Sequence, residues 1–217
     1  MKLNEILVAI GTCHRLREPG KQSPDGRLIE CIYGRETAKA VHEKLQTKGC
    51  RTIIDYTPLD LPKTMQSPSV YQERQRELAM RVNLVNELCR QEGEKRVIYV
   101  SIHVNASPPV DNQWHKPNGW QVSVGTKASA KSKQLAGCLY DAAKAKGLKV
   151  RQPSLKPLQK YWPQNLYVLN QTSCPAVLTE NLFQNNINDV DFLLSEEGRQ
   201  IIVDLHVEGI IKYIESL

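Results

Sequence analysis

The segment Val97-Ile-Tyr-Val-Ser-Ile-His-Val-Asn105 decides the fold, because it is a near-continuous apolar run of strand length that ends on polar residues. Such a run is typical of a strand that is buried on both faces in a parallel sheet, since a strand with one face in solvent alternates apolar and polar residues. We therefore predict a buried strand over residues 96–105. The run is far shorter than the roughly 20 apolar residues that span a membrane.

Strand and amphipathic-helix patterns alternate on both sides of this segment. The predicted strands are residues 5–11, 51–57, 96–105, 119–125 and 175–181. The predicted helices are residues 30–48, a long helix with apolar residues 78, 82, 85 and 89 on one face, residues 128–146, and a C-terminal helix. Loops are predicted over residues 58–68, 107–118 and 152–164. This alternation predicts an α/β fold: a single domain over residues 1–217, with a mostly parallel twisted sheet of about six strands and helices on both faces.

The composition is that of an ordinary globular protein with an excess of positive charge. The chain has 217 residues, of which 41% are hydrophobic, and 29 Lys and Arg against 23 Asp and Glu give a formal net charge of +6. The basic residues are spread along the chain without the aromatic-glycine signature of an RNA-binding sheet, so we expect polyanionic surroundings but no nucleic acid partner. The six cysteines form no Cys-x-x-Cys pair, and we expect reduced thiols rather than a zinc–thiolate site.

Polar residues of the types that bind metal ions or transfer protons lie where the predicted strands end. His14 follows the first strand, and His103 and Glu180 lie near the ends of two later strands. Glu30 opens the first predicted helix. Ligands of an open α/β sheet bind beyond the carboxyl ends of its strands, and two imidazoles with one carboxylate form a common catalytic zinc site. Residues so widely spaced in sequence meet only through the fold, so the spacing alone is weak support for such a site.

Each candidate also has an ordinary structural explanation. A His at a strand end is often only hydrogen-bonded, and Glu30 is an acid of the kind that the dipole at a helix N-terminus favours. Glu180 is harder to explain in this way, because a carboxylate that leaves a buried strand carries a large desolvation cost unless it is paired, liganded or catalytic. His42 and His206 fall within predicted helices and are assigned to packing.

Four segments are more specific than the spacing of single residues. They are Pro19-Gly-Lys-Gln-Ser-Pro-Asp-Gly-Arg27 leading to Glu30, Val100-Ser-Ile-His-Val-Asn-Ala106, Gly119-Trp-Gln-Val122, and Tyr167-Val-Leu-Asn-Gln-Thr-Ser-Cys-Pro-Ala-Val-Leu-Thr-Glu-Asn-Leu-Phe183. These segments resemble the zinc-dependent N-acetylmuramoyl-L-alanine amidases of the Amidase_3 family, and the resemblance runs nearly end to end. It implies hydrolysis of the amide between N-acetylmuramic acid and L-alanine, with peptidoglycan as the partner and Zn²⁺ as the cofactor.

Carried over residue by residue, the resemblance implies a metal site and an acid–base residue. The implied residues are His14, Glu30 and His103 as zinc ligands, Glu180 as the catalytic residue, and Asn105 and Trp120 as substrate contacts. Asn185 or Asn186 and Asp189 look like the Asn-x-x-Asp that follows the catalytic Glu in the family, and we expect them to hold a loop in place.

The first implied ligand is where this chain departs from the family pattern. The family has Gly-His-Gly directly after the first strand, whereas this chain has Gly11-Thr-Cys-His14. Aligned forward from the strand, Thr12 takes the ligand position. Counted backward from Pro19-Gly-Lys21, His14 takes it, as though two residues were inserted. We predict His14, because no other imidazole lies nearby in the sequence.

Three alternatives stay open at this point. The first is a degenerate amidase that binds peptidoglycan without cleaving it, because Gly11-Thr-Cys-His14 departs from the Gly-His-Gly of the family. The second is a cysteine hydrolase, in which the Cys13 thiolate would pair with a histidine. The third is a nucleic-acid-binding module, which the positive net charge would favour.

The setting of the protein is also an expectation. Glu5 interrupts what would have to be the apolar core of a signal peptide. We expect a monomer with no stable membrane association, cytoplasmic until its release as a phage or prophage lysin, or periplasmic or extracellular if a signal peptide has been removed.

Overall fold

One sheet of six strands forms the centre of the protein in the computed structural model, which describes residues 1–109, 111–153, 156 and 158–217. The strands are β1 (Leu7–Gly11), β2 (Arg51–Ile54), β3 (Val97–Asn105), β4 (Gln121–Gly125), β5 (Trp162–Gln164) and β6 (Ala176–Phe183). Their order across the sheet is β2-β1-β3-β6-β4-β5. The first four strands in this order are parallel, whereas β4 runs antiparallel to β6 and β5 runs parallel to β4. The prediction of a mostly parallel sheet of six strands in a single α/β domain is confirmed.

Helices cover both faces of this sheet, also as predicted. They are α1 (Glu30–Thr47), α2 (Val70–Glu92), α3 (Ala130–Ala145), α4 (Tyr167–Asn170), α5 (Ile187–Leu194) and α6 (Glu196–Glu215). Successive side chains of a strand point to opposite faces. Val8 and Ile10 accordingly join a core with residues of α1, α3, α5 and α6, whereas Leu7, Ala9 and Tyr99 join a second core with residues of α2 and α4. None of the described helices is long and apolar enough to cross a membrane.

The structure corrects several predicted boundaries. Leu3–Glu5 is a short 3-10 helix, so the first strand starts at Leu7, and the second strand ends at Ile54 instead of continuing to residue 57. Residues 154, 155 and 157 of the predicted loop 152–164, and residue 110 of the loop 107–118, lie outside the described residues.

The end of the predicted loop 152–164 is a strand that the sequence patterns missed. Trp162–Gln164 forms β5, which pairs with Ser123–Gly125 of β4 at the edge of the sheet. Three residues are too few to show a periodicity, and Pro163 is a residue that sheets admit mainly at their edges.

Candidate metal centre and acid–base residue

The C-terminal ends of β1, β3 and β6 meet at one edge of the sheet, and the predicted site residues lie there. β1 ends at Gly11 and leads to His14, while His103 and Glu180 are register partners on β3 and β6. Glu30, the first residue of α1, reaches the same edge. Its Oε1 lies 3.4 Å from His14 Nε2 and 3.2 Å from His103 Nδ1. Residues that are far apart in the sequence thus come together at the place where open α/β sheets bind ligands.

The Glu30 carboxylate is directed into this site instead of capping its helix. α1 begins without a side-chain cap, and the buried Oε1 of Glu30 accepts a hydrogen bond from the Val104 N–H at 3.1 Å. Oε2 accepts no hydrogen bond from a described residue, although the Lys21 ammonium lies 3.7 Å away. Burial would raise the pKa of Glu30, but the charge of His14, the hydrogen bond with His103 and the Lys21 charge outweigh it and hold the pKa at about 2. An ionised, buried carboxylate with a free oxygen has the properties of a metal ligand.

The His103 imidazole is held in an orientation and a charge state that suit a ligand. Its Nδ1 faces Glu30, and its Nε2 lies 3.1 Å from Ser101 Oγ. Burial lowers the pKa of His103, and the hydrogen bond with Glu30 offsets only part of this effect. The neutral imidazole that burial favours is the form that binds metal ions.

His14 reaches the site despite the departure from the family pattern before it. Its ring lies perpendicular to that of His103, with 5.0 Å between the centroids. Its Nδ1 lies 3.0 Å from Glu18 Oε2, and its backbone φ of 41° lies in the left-handed region. A turn after Gly11 therefore returns the His14 imidazole to the carboxyl ends of the strands.

Cys13 competes with His14 on distance alone. The described His, Cys, Asp and Glu side chains include one set of three potential ligand atoms that all lie within 4.8 Å of one another, from Cys13, Glu30 and His103. Burial, followed by the charge of Glu30, raises the pKa of the Cys13 thiol well above its usual value, so in the absence of a metal ion this side chain is a neutral thiol. Cys13 Sγ donates to the Glu30 carbonyl oxygen at 3.2 Å, and only a thiolate binds a metal ion well. His14 stays the predicted third ligand, and the same buried thiol argues against a cysteine hydrolase.

Glu180 has the environment of a proton-transfer residue. Its Oε2 is buried and accepts no hydrogen bond from the described residues. Burial and then the repulsion of the Glu30 charge raise the pKa of Glu180 to about 8, although Lys21 and Arg151 lower it. Two neighbouring carboxyl groups with pKa values pushed in opposite directions are typical of a division between a charged group and an acid–base group.

The predicted substrate contact at Trp120 is wrong. Trp120 is fully buried, packs in the larger core, and donates its indole N–H to Asn181 Oδ1 at 2.8 Å. A side chain without exposed surface offers no face to a sugar ring. Asn105 is only partly buried at the end of β3, where its Oδ1 accepts the Ala106 N–H at 2.8 Å, and its contact with substrate stays a prediction.

Two charged residues near the site were missed in the sequence. Glu18 contacts His14, and its position just before the matching segment Pro19–Arg27 was the available signal. Arg151 lies between α3 and β5, and no sequence motif marked it as part of the site. Its guanidinium lies 4.8 Å from the centroid of the Phe183 ring and donates to Gln121 Oε1 at 2.6 Å.

The loop after β6 is tied down by the asparagines and the aspartate that were expected to hold it. Asn185 accepts the Ser107 N–H at 2.9 Å and donates to the Ser107 carbonyl at 2.7 Å. Asn186 caps α5, and Asp189 Oδ2 accepts the Phe183 N–H at 3.0 Å. These contacts hold the loop against the end of β6 that carries Glu180.

Comparisons with known proteins agree with this architecture. The model of the Amidase_3 family, described as N-acetylmuramoyl-L-alanine amidase, matches residues 8–212. The endolysin of Bacillus phage SPP1 is 28% identical over 127 residues, which are 58% of this chain and 44% of the endolysin. The match therefore spans less than half of that relative.

Solved structures of amidases share the fold. The CwlD amidase from Clostridioides difficile, determined in complex with the GerS lipoprotein, superposes with a TM-score of 0.79 at 20% identity, covering 98% of this chain and 100% of that one. The amidase Ami1 from Mycobacterium smegmatis superposes with a TM-score of 0.72 at 22% identity over all of both chains.

Proposed function

Because the chain belongs to the Amidase_3 family of N-acetylmuramoyl-L-alanine amidases, we propose that it is a zinc-dependent hydrolase of the amide between N-acetylmuramic acid and L-alanine in peptidoglycan. One observation carries the proposal. Two imidazoles and an ionised carboxylate converge at the carboxyl edge of the sheet, next to a buried carboxyl group with a raised pKa. The first three groups match the preferred donors of zinc, and the fourth matches the acid–base residue that hydrolysis of an amide requires.

The residues present fit a zinc ion. His14 Nε2 and His103 Nδ1 both approach Glu30, whose second oxygen lacks a hydrogen-bond donor among the described residues. These three side chains would hold the zinc ion, and three protein ligands are the number that catalytic zinc sites use. A zinc ion held by these residues would polarise the scissile carbonyl and acidify the attacking water.

Glu180 moves the proton in the proposed reaction. Its carboxylate accepts a proton from the water whose oxygen forms the new bond to the carbonyl carbon. The same proton is then donated to the nitrogen of L-alanine as the carbon–nitrogen bond breaks. Burial keeps the pKa of Glu180 at about 8, close to neutral pH, so the carboxyl group can both accept and release a proton there.

A role as a lysin follows from the same proposal. The SPP1 endolysin is a sequence relative, and a net charge of +6 favours approach to an anionic cell wall. Peptidoglycan is the proposed partner, and a monomeric state, the absence of a nucleic acid partner and release from the cytoplasm stay expectations.

Digestion of purified peptidoglycan tests the reaction and the cofactor together. The purified protein is incubated with the wall material, with and without a zinc chelator, and the products are analysed by mass spectrometry. We expect new L-alanine amino termini, their loss on chelation and their return on addition of zinc. Cleavage of a glycan bond or of another peptide bond would overturn the proposed reaction.

The same preparation tests the alternative of a degenerate amidase. A catalytic protein should bind about one zinc per chain, as a single catalytic site requires. Tight binding to peptidoglycan with little zinc and no new amino termini would instead support the degenerate form.

A further inference from the structure

The His14 imidazole lies between two carboxylates. Its Nε2 is 3.4 Å from Glu30 Oε1, and its Nδ1 is 3.0 Å from Glu18 Oε2. The Glu18 side chain is fully buried, so this contact is shielded from water. A carboxylate that accepts the Nδ1–H proton leaves the lone pair on Nε2, which here is the nitrogen directed toward Glu30.

Glu18 is itself held from α2. Its Oε1 accepts from Arg74 Nε at 2.7 Å and lies 2.5 Å from Arg74 Nη2, while Arg15 Nη2 lies 4.0 Å from Oε2. Two guanidinium groups therefore lie beside the carboxylate that contacts the His14 imidazole. The arrangement connects α2 to the proposed metal centre through Arg74, Glu18 and His14.

The backbone at His14 needs such support. A φ of 41° is a conformation that side-chain-bearing residues rarely adopt, and it costs free energy unless the surroundings hold it. Arg35 binds the carbonyl oxygens of Cys13 and His14 at 2.8 and 3.0 Å, which fixes the main chain. The main chain does not determine the rotation of the imidazole, whereas the contact with Glu18 does.

We propose that Glu18 is a positioning residue, which holds the Nδ1–H of His14 so that Nε2 faces Glu30 and His103 as a metal ligand. This inference rests on the proposed zinc site and adds a residue to it. It also explains how the inserted pair Thr12–Cys13 is tolerated. The turn that accommodates the insertion places His14 next to Glu18, and Glu18 then directs the ring into the site.

A double-mutant cycle on zinc affinity tests the inference. Zinc affinity is measured in competition with a chromophoric chelator for the wild type, Glu18→Gln, His14→Ala and the double variant. We expect Glu18→Gln to weaken zinc binding by about 10- to 100-fold, the usual effect of losing the partner of a ligating His. In the His14→Ala background, the same change should have no further effect, because Glu18 acts through His14.

Control variants separate positioning from general damage. Glu92→Gln removes another Arg-paired carboxylate, far along the chain on α2, and should leave zinc affinity unchanged. Thermal unfolding of the zinc-free proteins shows whether Glu18→Gln folds. If it does not, Arg74→Gln removes the support of Glu18 from the surface of α2, and its smaller loss of affinity should likewise vanish in the His14→Ala background.

Two results would overturn the inference. One is an equal loss of affinity from Glu18→Gln in both backgrounds, which indicates a merely structural role. The other is unchanged affinity in His14→Ala together with lost affinity in Cys13→Ala, which makes the thiol the third ligand. These measurements use no substrate. If zinc affinity changes as expected but the protein releases no L-alanine amino termini, only the proposed reaction is contradicted.

Discussion

His103 and Glu180 are register partners on the adjacent parallel strands β3 and β6, and the register shifts directly after them, so that Asn105 pairs with Phe183. Leu182, within this irregularity, has a left-handed φ of 64°. Bulges of this kind are common next to active sites, where they re-aim side chains and end strand pairing. The sheet itself thus places a proposed metal ligand beside the proposed acid–base residue, and the pairing ends just beyond them.

Glu180→Gln should separate catalysis from metal binding. The amide has the size of the carboxyl group but cannot take up the proton, so we expect kcat to fall by about 10²- to 10⁴-fold. Zinc content should stay unchanged, because Glu180 is not among the proposed ligands. Glu30→Gln is the matched variant and should lose both zinc and turnover. Metal analysis and product release measure the two effects, and a fully active Glu180→Gln protein would contradict the acid–base role.

Arg81→Met should destabilise the fold strongly. Arg81 on α2 donates to Asp55 Oδ1 at 2.7 Å and to Glu77 Oε1 at 2.9 Å, and all three side chains are buried. Without the Arg81 guanidinium, the buried carboxylates of Asp55 and Glu77 lose a cationic partner. Such a loss lowers the free energy of unfolding by about 3–5 kcal/mol. Urea unfolding measures the loss. Arg90→Met breaks an exposed pair with Glu87 and should change stability by less than about 0.5 kcal/mol.

His206 should make the protein less stable in mild acid. Burial lowers its pKa from 6.5 to about 4, although the hydrogen bond from Nδ1 to the Ile202 carbonyl acts in the opposite direction and raises it in part. Below pH 6.5 the unfolded chain takes up a proton that the folded chain takes up only near pH 4. The stabilisation is thus complete above pH 6.5 and is lost as the pH falls to about 4, by roughly 3 kcal/mol.

Unfolding of wild type and His206→Gln at a series of pH values checks this effect. Other groups titrate in the same range, so the difference between the two proteins is the relevant quantity. We expect the difference to shrink between pH 6.5 and pH 4. A constant difference over this range would show that His206 does not titrate with folding.

Gly11→Ala should destabilise the end of β1. An added Cβ would lie 2.7 Å from Tyr99 Cζ, and the Tyr99 hydroxyl cannot move freely because it donates to Asp55 at 2.9 Å. Overpacking of this kind costs about 1–3 kcal/mol. Gly137→Ala, within α3, meets nothing within 4 Å and should instead raise stability by about 0.5–1 kcal/mol. Thermal unfolding of both variants measures the contrast, and equal shifts would show that Tyr99 yields.

Local patterns were sufficient for most of the fold. The apolar run that ends at Asn105 and the helical spacing on α2 are properties of consecutive residues, so the strands, helices and their alternation were predictable from them. β5 was missed because three residues around Pro163 carry no pattern. Trp120 was misassigned because its burial depends on tertiary packing, including β6, where Asn181, far from it in the sequence, accepts its indole N–H.

The sequence by itself determined the α/β class, the strand-end positions of His103 and Glu180, and the family of the chain. Only the tertiary structure decided that the side chain at this site is His14 rather than Thr12, with 3.4 Å between His14 Nε2 and Glu30 Oε1. It also decided that Glu18 contacts the other ring nitrogen and is itself bound by Arg74. The physical reason is that hydrophobic periodicity is encoded by neighbouring residues, whereas the direction of an imidazole after an insertion depends on a left-handed turn and on side chains from another helix.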